Sequence, residues 1–599
     1  MFTILAVATL AATVLYLFRW PLIQLLSSSI PRVPATDGKL AGDIGGLARF
    51  RDMLLLALYG PLTLFTDING RYPGNYPVTF YFPTCQCVLL RHAADVQTVF
   101  TSPQMSLRGS DIQVTRFTNL LGRNIITVPV SIWKATRLRT MAFLSGEYLK
   151  NYQLAMHETA EKFLIPVWRY HAKRGMALNV WDSMLGYSSL VVFMAFMGLG
   201  AEEVPKDIFL SLNKLFAHVR SYIQSAFPTP LWVPTVNNIL FHWRKRKLRR
   251  FVDQYINAQK GASTMLGSII RTYTKRQRKD FDDLITFLQR MVTDDKKIAV
   301  TEEIRGYFNQ SQQNALLGEF IYDHSAKGKI DQTIADQFDR LQMDMDIYSF
   351  TKTLLAKFKF AEQGINFDRN NRELQAAVET FLCQPSDGSE WLNNVKLDLV
   401  RDEIIGNAIG GSETTIIFMN FTSYYLAANP ECQSKLRAAL AANQDQPIEN
   451  IEYLDWVLKE TLRLASPAFV NSRELNGDVK LPAREGRPAV TIAGSLTPWL
   501  CQFYMHRDPE FWSEPERFDP ERWAKPIVPG SYFPFGMGKR RCVGEFYAIR
   551  EAMVSVAHMI SRFEIRNIDP NYQLKGLDDF NPDLTLRARR PIMLMLKEV

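Results

Sequence analysis

Phe535-Gly536-Met537-Gly538-Lys539-Arg540-Arg541-Cys542-Val543-Gly544 is the stretch on which the reading of this chain turns. Gly536 and Gly538 let the backbone turn tightly, and Gly544 leaves room behind the sulfur for another backbone or a flat ligand. The run that follows, Glu545 to Ile560, carries apolar Phe546, Ile549, Met553, Val554 and Val556 and predicts a helix. Cys542 therefore stands just before a helix N-terminus, where the dipole and free amides favour a thiolate. A buried structural cysteine in a Gly-rich turn is the plain alternative, and the rest of the chain has to decide between them.

Three further patterns stand outward from this loop. Gly410-Gly411-Ser412-Glu413-Thr414-Thr415 lies in the run Leu399 to Phe418, whose Ile404, Ile405, Ala408 and Ile409 predict a buried helix. Each glycine costs a helix interior about 1 kcal/mol, so the pair points to a close ligand or a local bulge. A Gly-kinked core helix with a threonine bonding back to its own backbone is the competing reading. Glu413-Thr414 sets an acid beside a hydroxyl, a pair able to pass protons. Glu460 and Arg463 share a helix face, which alone means an ordinary ion pair. Trp133 and Arg137 also share a face and can donate together to one carboxylate, or pair as ring and cation.

Together these stretches resemble the cytochrome P-450 family of haem-thiolate monooxygenases. The family's haem-binding loop reads Phe-x-x-Gly-x-Arg-x-Cys-x-Gly, and Phe535, Gly538, Arg540, Cys542 and Gly544 occupy every fixed position. The resemblance implies that Cys542 is the axial thiolate of haem b, whose electron donation favours O–O cleavage. Gly-Gly-x-Glu-Thr-Thr is similar to the oxygen-activation helix, which makes Glu413 and Thr414 catalytic. Glu460-Thr461-Leu462-Arg463 looks like the family's Glu-x-x-Arg helix, completed by a second arginine. Pro515-Glu516-Arg517-Phe518 and Pro520-Glu521-Arg522-Trp523 both offer one. Arg522 is preferred, because the family writes Pro-x-x-Phe-x-Pro-x-Arg-aromatic. Such a clamp fixes geometry more than it adds stability. Trp133-x-x-x-Arg137 resembles the helix that binds a haem propionate, with Arg473 and Arg540 as further partners. The Asp-Gly that often precedes the Trp is replaced by Pro129-Val130-Ser131-Ile132. Ala468, Phe469 and Val470 are expected along the substrate pocket.

The remaining sequence bounds this reading. The 599 residues hold no low-complexity linker or internal repeat, so one large domain is expected. Lys+Arg exceed Asp+Glu by 70 − 61 = +9, which suits an anionic membrane surface or an acidic partner. No zinc-finger, basic-zipper or RNA-binding pattern accompanies that charge, so no nucleic-acid partner is expected. Six cysteines make no disulfide framework and fit a reducing compartment; Cys85 and Cys87 read as packed thiols. Met1 to Phe18 is uncharged and apolar, followed by Arg19 and Trp20, as in a short membrane-spanning helix with its basic flank in the cytosol. A cleaved secretory signal is the rival, but no basic residue precedes the apolar run.

The expected fold class is mostly α with a smaller β-rich part, of the P-450 type, behind an N-terminal transmembrane helix. Residues 1–20 form the anchor, 21–35 a hinge containing Pro31 and Pro34, and 36–599 one catalytic domain. Its surface is enlarged at about 264–367, where the family usually spends fewer residues. Strands are expected around Val78–Phe82 and Cys87–Leu90. The basic run Trp243 to Arg250 follows an apolar stretch and suits a lipid surface. The resemblance further implies an NADPH-dependent cytochrome reductase as partner, an apolar small-molecule substrate, and a single-pass location in the endoplasmic reticulum membrane. The extra surface and general style resemble fungal enzymes that tailor secondary metabolites. A haem-thiolate isomerase or dehydratase, a fatty-acid or sterol hydroxylase and a haem-binding sensor are the alternatives.

Overall fold

A computed structural model describes parts of residues 32–258 and, apart from 485–487 and 583–584, all of 390–599. The expected anchor at 1–20 and the enlarged region at 264–367 lie outside the described residues, as do Pro31 and Pro34. Inside the expected hinge, Arg32–Val33 (β1) pairs antiparallel with Ala41–Asp43 (β2).

Alternating apolar residues dictate the main sheet. Val78–Phe82 (β3) and Cys85–Leu90 (β4) pair antiparallel with Phe80 opposite Cys87. Helices Ala93–Thr101 (α1), Gly146–Thr159 (α2) and Ile165–Arg174 (α3) follow, α2 and α3 being joined by a π turn at Ala160–Leu164. Next come Leu178–Asn179 (β5) and helices Val180–Met197 (α4), Val236–Ala258 (α5), Glu390–Ala428 (α6), Pro430–Ala442 (α7) and Glu452–Leu464 (α8). Strands Val470–Ser472 (β6), Val479–Leu481 (β7), Val490–Ile492 (β8) and Thr497–Cys501 (β9) precede helix Glu545–Ile560 (α9). Phe563–Asn567 (β10), Phe580–Pro582 (β11), Leu586–Ala588 (β12) and Met593–Glu598 (β13) close the chain.

The six-stranded sheet runs β1-β2-β3-β4-β9-β6. Within it β4 and β9 pair parallel, with Leu89 opposite Trp499. Successive side chains of a strand face opposite ways, and here both faces are covered. Cys87, Leu89, Trp499 and Cys501 enter the large core, which runs from Leu55 to Leu596. Val88, Leu90 and Leu500 enter a smaller core beneath α1. Cys87 and Cys501 are buried free thiols.

Helix α4 is the one described helix long and apolar enough to cross a membrane, with mean hydropathy 1.4. Most of it is buried, and it packs along α6 as a core helix. Helix α6 stays α-helical across Gly410 and Gly411, so the glycines introduce no bulge. Helix α9 occupies the expected span, and Met553, Val554 and Val556 are in the core. Phe546 departs from expectation: it is 66% exposed, on the outer side of the first turn.

Between Phe533 and Gly544 the chain lies across both cores. Phe533 packs into the smaller one, while Phe535 and Val543 pack against the larger. Gly536 and Gly538 take φ +74° and +66°, the left-handed region that favours glycine. A Cβ on Gly538 would lie 2.3 Å from the Phe100 carbonyl oxygen at the end of α1, so no side chain fits there.

Candidate active site

The loop is closed by its own backbone. Cys542 N–H donates to Phe535 O at 2.9 Å and Arg541 N–H to Gly538 O at 3.1 Å. The Cys542 sulfur is thereby held at the wall of a cavity of about 400 Å³. Its residue surface is open to this cavity although protein surrounds it. Burial raises the thiol pKa; the Gly544 amide and the charges of Arg137 and Arg541 pull the other way without prevailing. The helix terminus, which favours a thiolate, and burial thus act on the sulfur in opposite directions. Desolvation is the larger effect, and a cation at the sulfur would be needed to favour the thiolate.

The second wall is α6. Gly410, Gly411, Thr414 and Thr415 line the cavity, and a Cβ on Gly410 would meet nothing within 4 Å. The glycines thus leave space beside the helix. Thr414 donates to Gly410 O at 2.6 Å, the back-bonded arrangement the sequence held as the alternative, while still lining the cavity. Glu413 is buried, is not among the lining residues, and accepts from Thr585 Oγ1 at 3.1 Å. Neighbours on a helix diverge by about 100°, so the expected acid–hydroxyl pair is not brought together at the cavity.

The third wall is cationic. Arg137, Arg473, Arg540 and Arg541 line the cavity, and no Asp or Glu is among its described lining residues. Arg541 is satisfied by Glu545, at 2.5 and 2.6 Å. Arg473 donates to neutral acceptors, Ser472 O at 2.7 Å and Asn471 Oδ1 at 3.4 Å. Burial pulls its pKa down to about 10. Arg540 falls to about 9 through burial and the like charges of Arg473 and Arg137. Its guanidinium lies 4.1 Å from the centre of the Trp133 ring, and that of Arg137 lies 5.4 Å from it. Arg137 also donates to Arg541 O at 2.7 Å. Three clustered guanidiniums want anions. A sulfur ligand for a metal, open space along Gly410 and three cations suited to carboxylates together fit a haem. Of the expected pocket residues, Ala468 lines the cavity. Phe469 instead belongs to the large core and Val470 begins β6.

Beneath the loop lies a buried carboxylate. Helix α8 turns Leu454, Val457, Leu458, Thr461 and Leu462 inward and carries Glu460 and Arg463 with them, both fully buried. Arg463 binds Glu460 bidentately, at 2.9 Å on both oxygens. Arg522 Nε donates to the same carboxylate at 2.9 Å, joined by Trp523 Nε1 and the Asp519 amide at 3.0 Å each. Arg517 lies at the surface, paired with Glu514, and lends its carbonyl to Arg463 at 3.1 Å.

Sequence reading missed His506. Arg463 donates to its carbonyl at 2.8 Å, and its Nε2 accepts from the Phe533 amide at 3.1 Å. This histidine therefore ties the clamp to the start of the Cys542 loop. Burial, then Arg463 and Arg507, pull its pKa down to about 3. No motif marks it: Met505-His506-Arg507-Asp508 offers only a histidine beside an arginine.

Two predictions follow from this geometry. Arg522→Ala strands part of the Glu460 charge and costs about 3–5 kcal/mol in urea unfolding, whereas Arg517→Ala leaves the midpoint unchanged. A destabilised Arg517→Ala beside an intact Arg522→Ala would reverse the assignment. For His506, the unfolded chain binds a proton near pH 6.5 that the folded chain refuses until about pH 3. The stability of neutral His506 is thus complete above about pH 6.5 and is lost as pH falls toward 3. Urea midpoints of His506→Gln should fall less steeply than wild type across that window.

Comparison with known proteins was consistent with this geometry. The family model for Cytochrome P450 matches residues 262–592, more than half of the chain. The chain is 30% identical to Cytochrome P450 9e2 of Blattella germanica, over 28% of this chain and 33% of that protein. It is 31% identical to Cyclooctat-9-en-7-ol 5-monooxygenase of Streptomyces melanosporofaciens, over 28% and 38%. Against Thromboxane-A synthase of Macaca fascicularis, identity is 23% over 72% and 70%. The chain thus spans little more than a third of the first two relatives. A mostly helical fold with a smaller sheet part and a cysteine loop matched within that model lead to one conclusion: the chain belongs to the cytochrome P450 family.

Proposed function

We propose that this protein is a haem-thiolate monooxygenase that inserts one oxygen atom from dioxygen into an apolar organic substrate. The observation that carries the reading is the cavity that gathers the Cys542 sulfur, Thr414 and three guanidiniums without a described acid in its wall. Haem b, when bound, supplies dioxygen activation, aided by electron donation from the thiolate. Cys542 would hold the iron, and Arg137, Arg473 and Arg540, with Trp133, the propionates. The Gly544 amide donates to the sulfur and moderates its charge. Phe535 and Gly538 shape the loop that presents it. Glu460, Arg463 and Arg522 support that loop and touch no substrate.

Thr414 is the proton-holding residue at the cavity wall. Glu413, held behind the wall by Thr585, reaches the cavity only after its carboxylate turns. The mainly apolar wall, including Ile125, Phe418 and Leu144, suits an apolar substrate and keeps water from competing.

The catalytic unit is residues 36–599, with 1–20 as a single-pass anchor in the endoplasmic reticulum membrane and the body in the cytosol. An NADPH-dependent cytochrome reductase supplies electrons. Helix α5 supports the membrane placement. Val236, Ile239, Leu240 and Trp243 are exposed on one face of it, beside the basic run Arg244 to Arg250, as in a helix that rests on anionic lipid. Tailoring of secondary metabolites is supported by the likeness to Cyclooctat-9-en-7-ol 5-monooxygenase. A second reading, a haem-thiolate isomerase or dehydratase needing no dioxygen, is favoured by one observation: Glu413 stands off the cavity wall.

Cys542→Ala should abolish the thiolate-type band near 450 nm, expected by family resemblance, in the reduced carbon-monoxide spectrum of haem-loaded protein. A surviving band removes Cys542 as ligand. Thr414→Ala should keep haem and substrate but lower the ratio of product to reduced nicotinamide consumed, because general acid assistance worth about 10²–10⁴ in rate is lost. Product formed equally well without dioxygen or reductant selects the second reading instead.

A further inference from the structure

Helix α6 carries one polar side chain toward the cavity that neither the haem contacts nor the proton pathway uses. Asn407, Gly410 and Thr414 stand at i, i+3 and i+7, on one face, and all three line the cavity. Asn407 is half-buried, and its carboxamide makes no hydrogen bond with any described residue. Three other uncharged polar side chains of the wall, by contrast, are engaged. Thr414 and Thr415 return their hydroxyls to Gly410 O and Gly411 O, and Asn471 accepts from Arg473.

Its position is defined by its neighbours. A Cβ on the adjacent Gly406 would lie 2.6 Å from Asn124, so the turn at 124–128 presses on the helix at this level. Ile125 and Ile126 of that turn line the cavity beside it. An amide with two donors and an acceptor thus faces an apolar recess, where leaving it unmatched is unfavourable.

We propose that Asn407 is a substrate-recognition residue that hydrogen-bonds one hydroxyl or carbonyl of an otherwise apolar substrate and thereby selects the carbon that is oxidised. The inference rests on the monooxygenase reading. A neutral amide suits a neutral alcohol or ketone; it does not offset the desolvation of an ammonium or a carboxylate. Seven residues at 1.5 Å rise separate Asn407 from Thr414 by about 10 Å along the helix axis. The oxidised carbon therefore lies on the order of 10 Å from the substrate's polar group.

The test uses the full-length, haem-loaded protein and paired probes: 1-alkylimidazoles and their ω-hydroxy counterparts, in a graded series of tether lengths. The imidazole end takes the haem iron and the free end reports on Asn407. Dissociation constants come from the haem absorbance shift and from calorimetry. Wild type should bind the hydroxyl-ended probe of matching length about 3- to 10-fold more tightly than its methyl-ended twin, the span of one neutral hydrogen bond. Asn407→Leu and Asn407→Ala should both lose that preference while binding unsubstituted imidazole as wild type does. A preference that persists in both variants, or that is missing from wild type at every length, overturns the assignment. Failure of wild type to show any shift with imidazole overturns the haem-thiolate reading itself, and this assignment with it.

Discussion

The buried carboxylate of Glu460 is the constraint on which the site rests. An ion without water must receive hydrogen bonds from the protein or not be charged at all. Glu460 receives them from Arg463, from Arg522 and Trp523 on the segment before the cysteine loop, and from the Asp519 amide. Those donors come from far apart in the chain, so one charge fixes the relative positions of α8 and the whole approach to Cys542. Arg463 extends the constraint through His506 to Phe533, two residues before the loop reverses direction. The worth of this network lies less in net stability than in specifying one arrangement.

That arrangement explains why the loop is a rigid shelf. Gly536 and Gly538 use backbone conformations that favour glycine, and Gly538 abuts the carbonyl of Phe100. The loop is pinned by the clamp behind, by α1 on one side and by α9 after Gly544. The cavity between this shelf and α6 is therefore built by elements that share one core, from Leu55 to Leu596.

Much of this was legible in the sequence where a residue's role is local. The helix after Cys542 and the strands at Val78–Phe82 and through Cys87 follow from pattern, and the choice of Arg522 over Arg517 from the family resemblance. What was illegible depends on direction in three dimensions. Glu413 and Thr414 are adjacent in sequence, yet only Thr414 faces the cavity. Phe546 satisfies a helical apolar pattern and still points outward. Phe469 lies beside Ala468 and turns into the core. His506 announces itself by no motif, because its value comes from two partners distant in the chain. The thiol of Cys542 showed the same limit: the helix terminus could be read, but the stronger effect of burial could not.

The cationic wall has a consequence for assembly of the protein. Arg137, Arg473 and Arg540 are brought together by folding against the loss of water and, at Arg540, against the like charges of the other two. Folding of the empty chain therefore works against its own charge, and an anion that enters the cavity removes that opposition. Such a ligand belongs to the folding equilibrium, since whatever binds the native state alone stabilises it in proportion to RT ln(1 + [L]/Kd). Occupancy of the cavity and stability of the fold are thus two readings of one equilibrium.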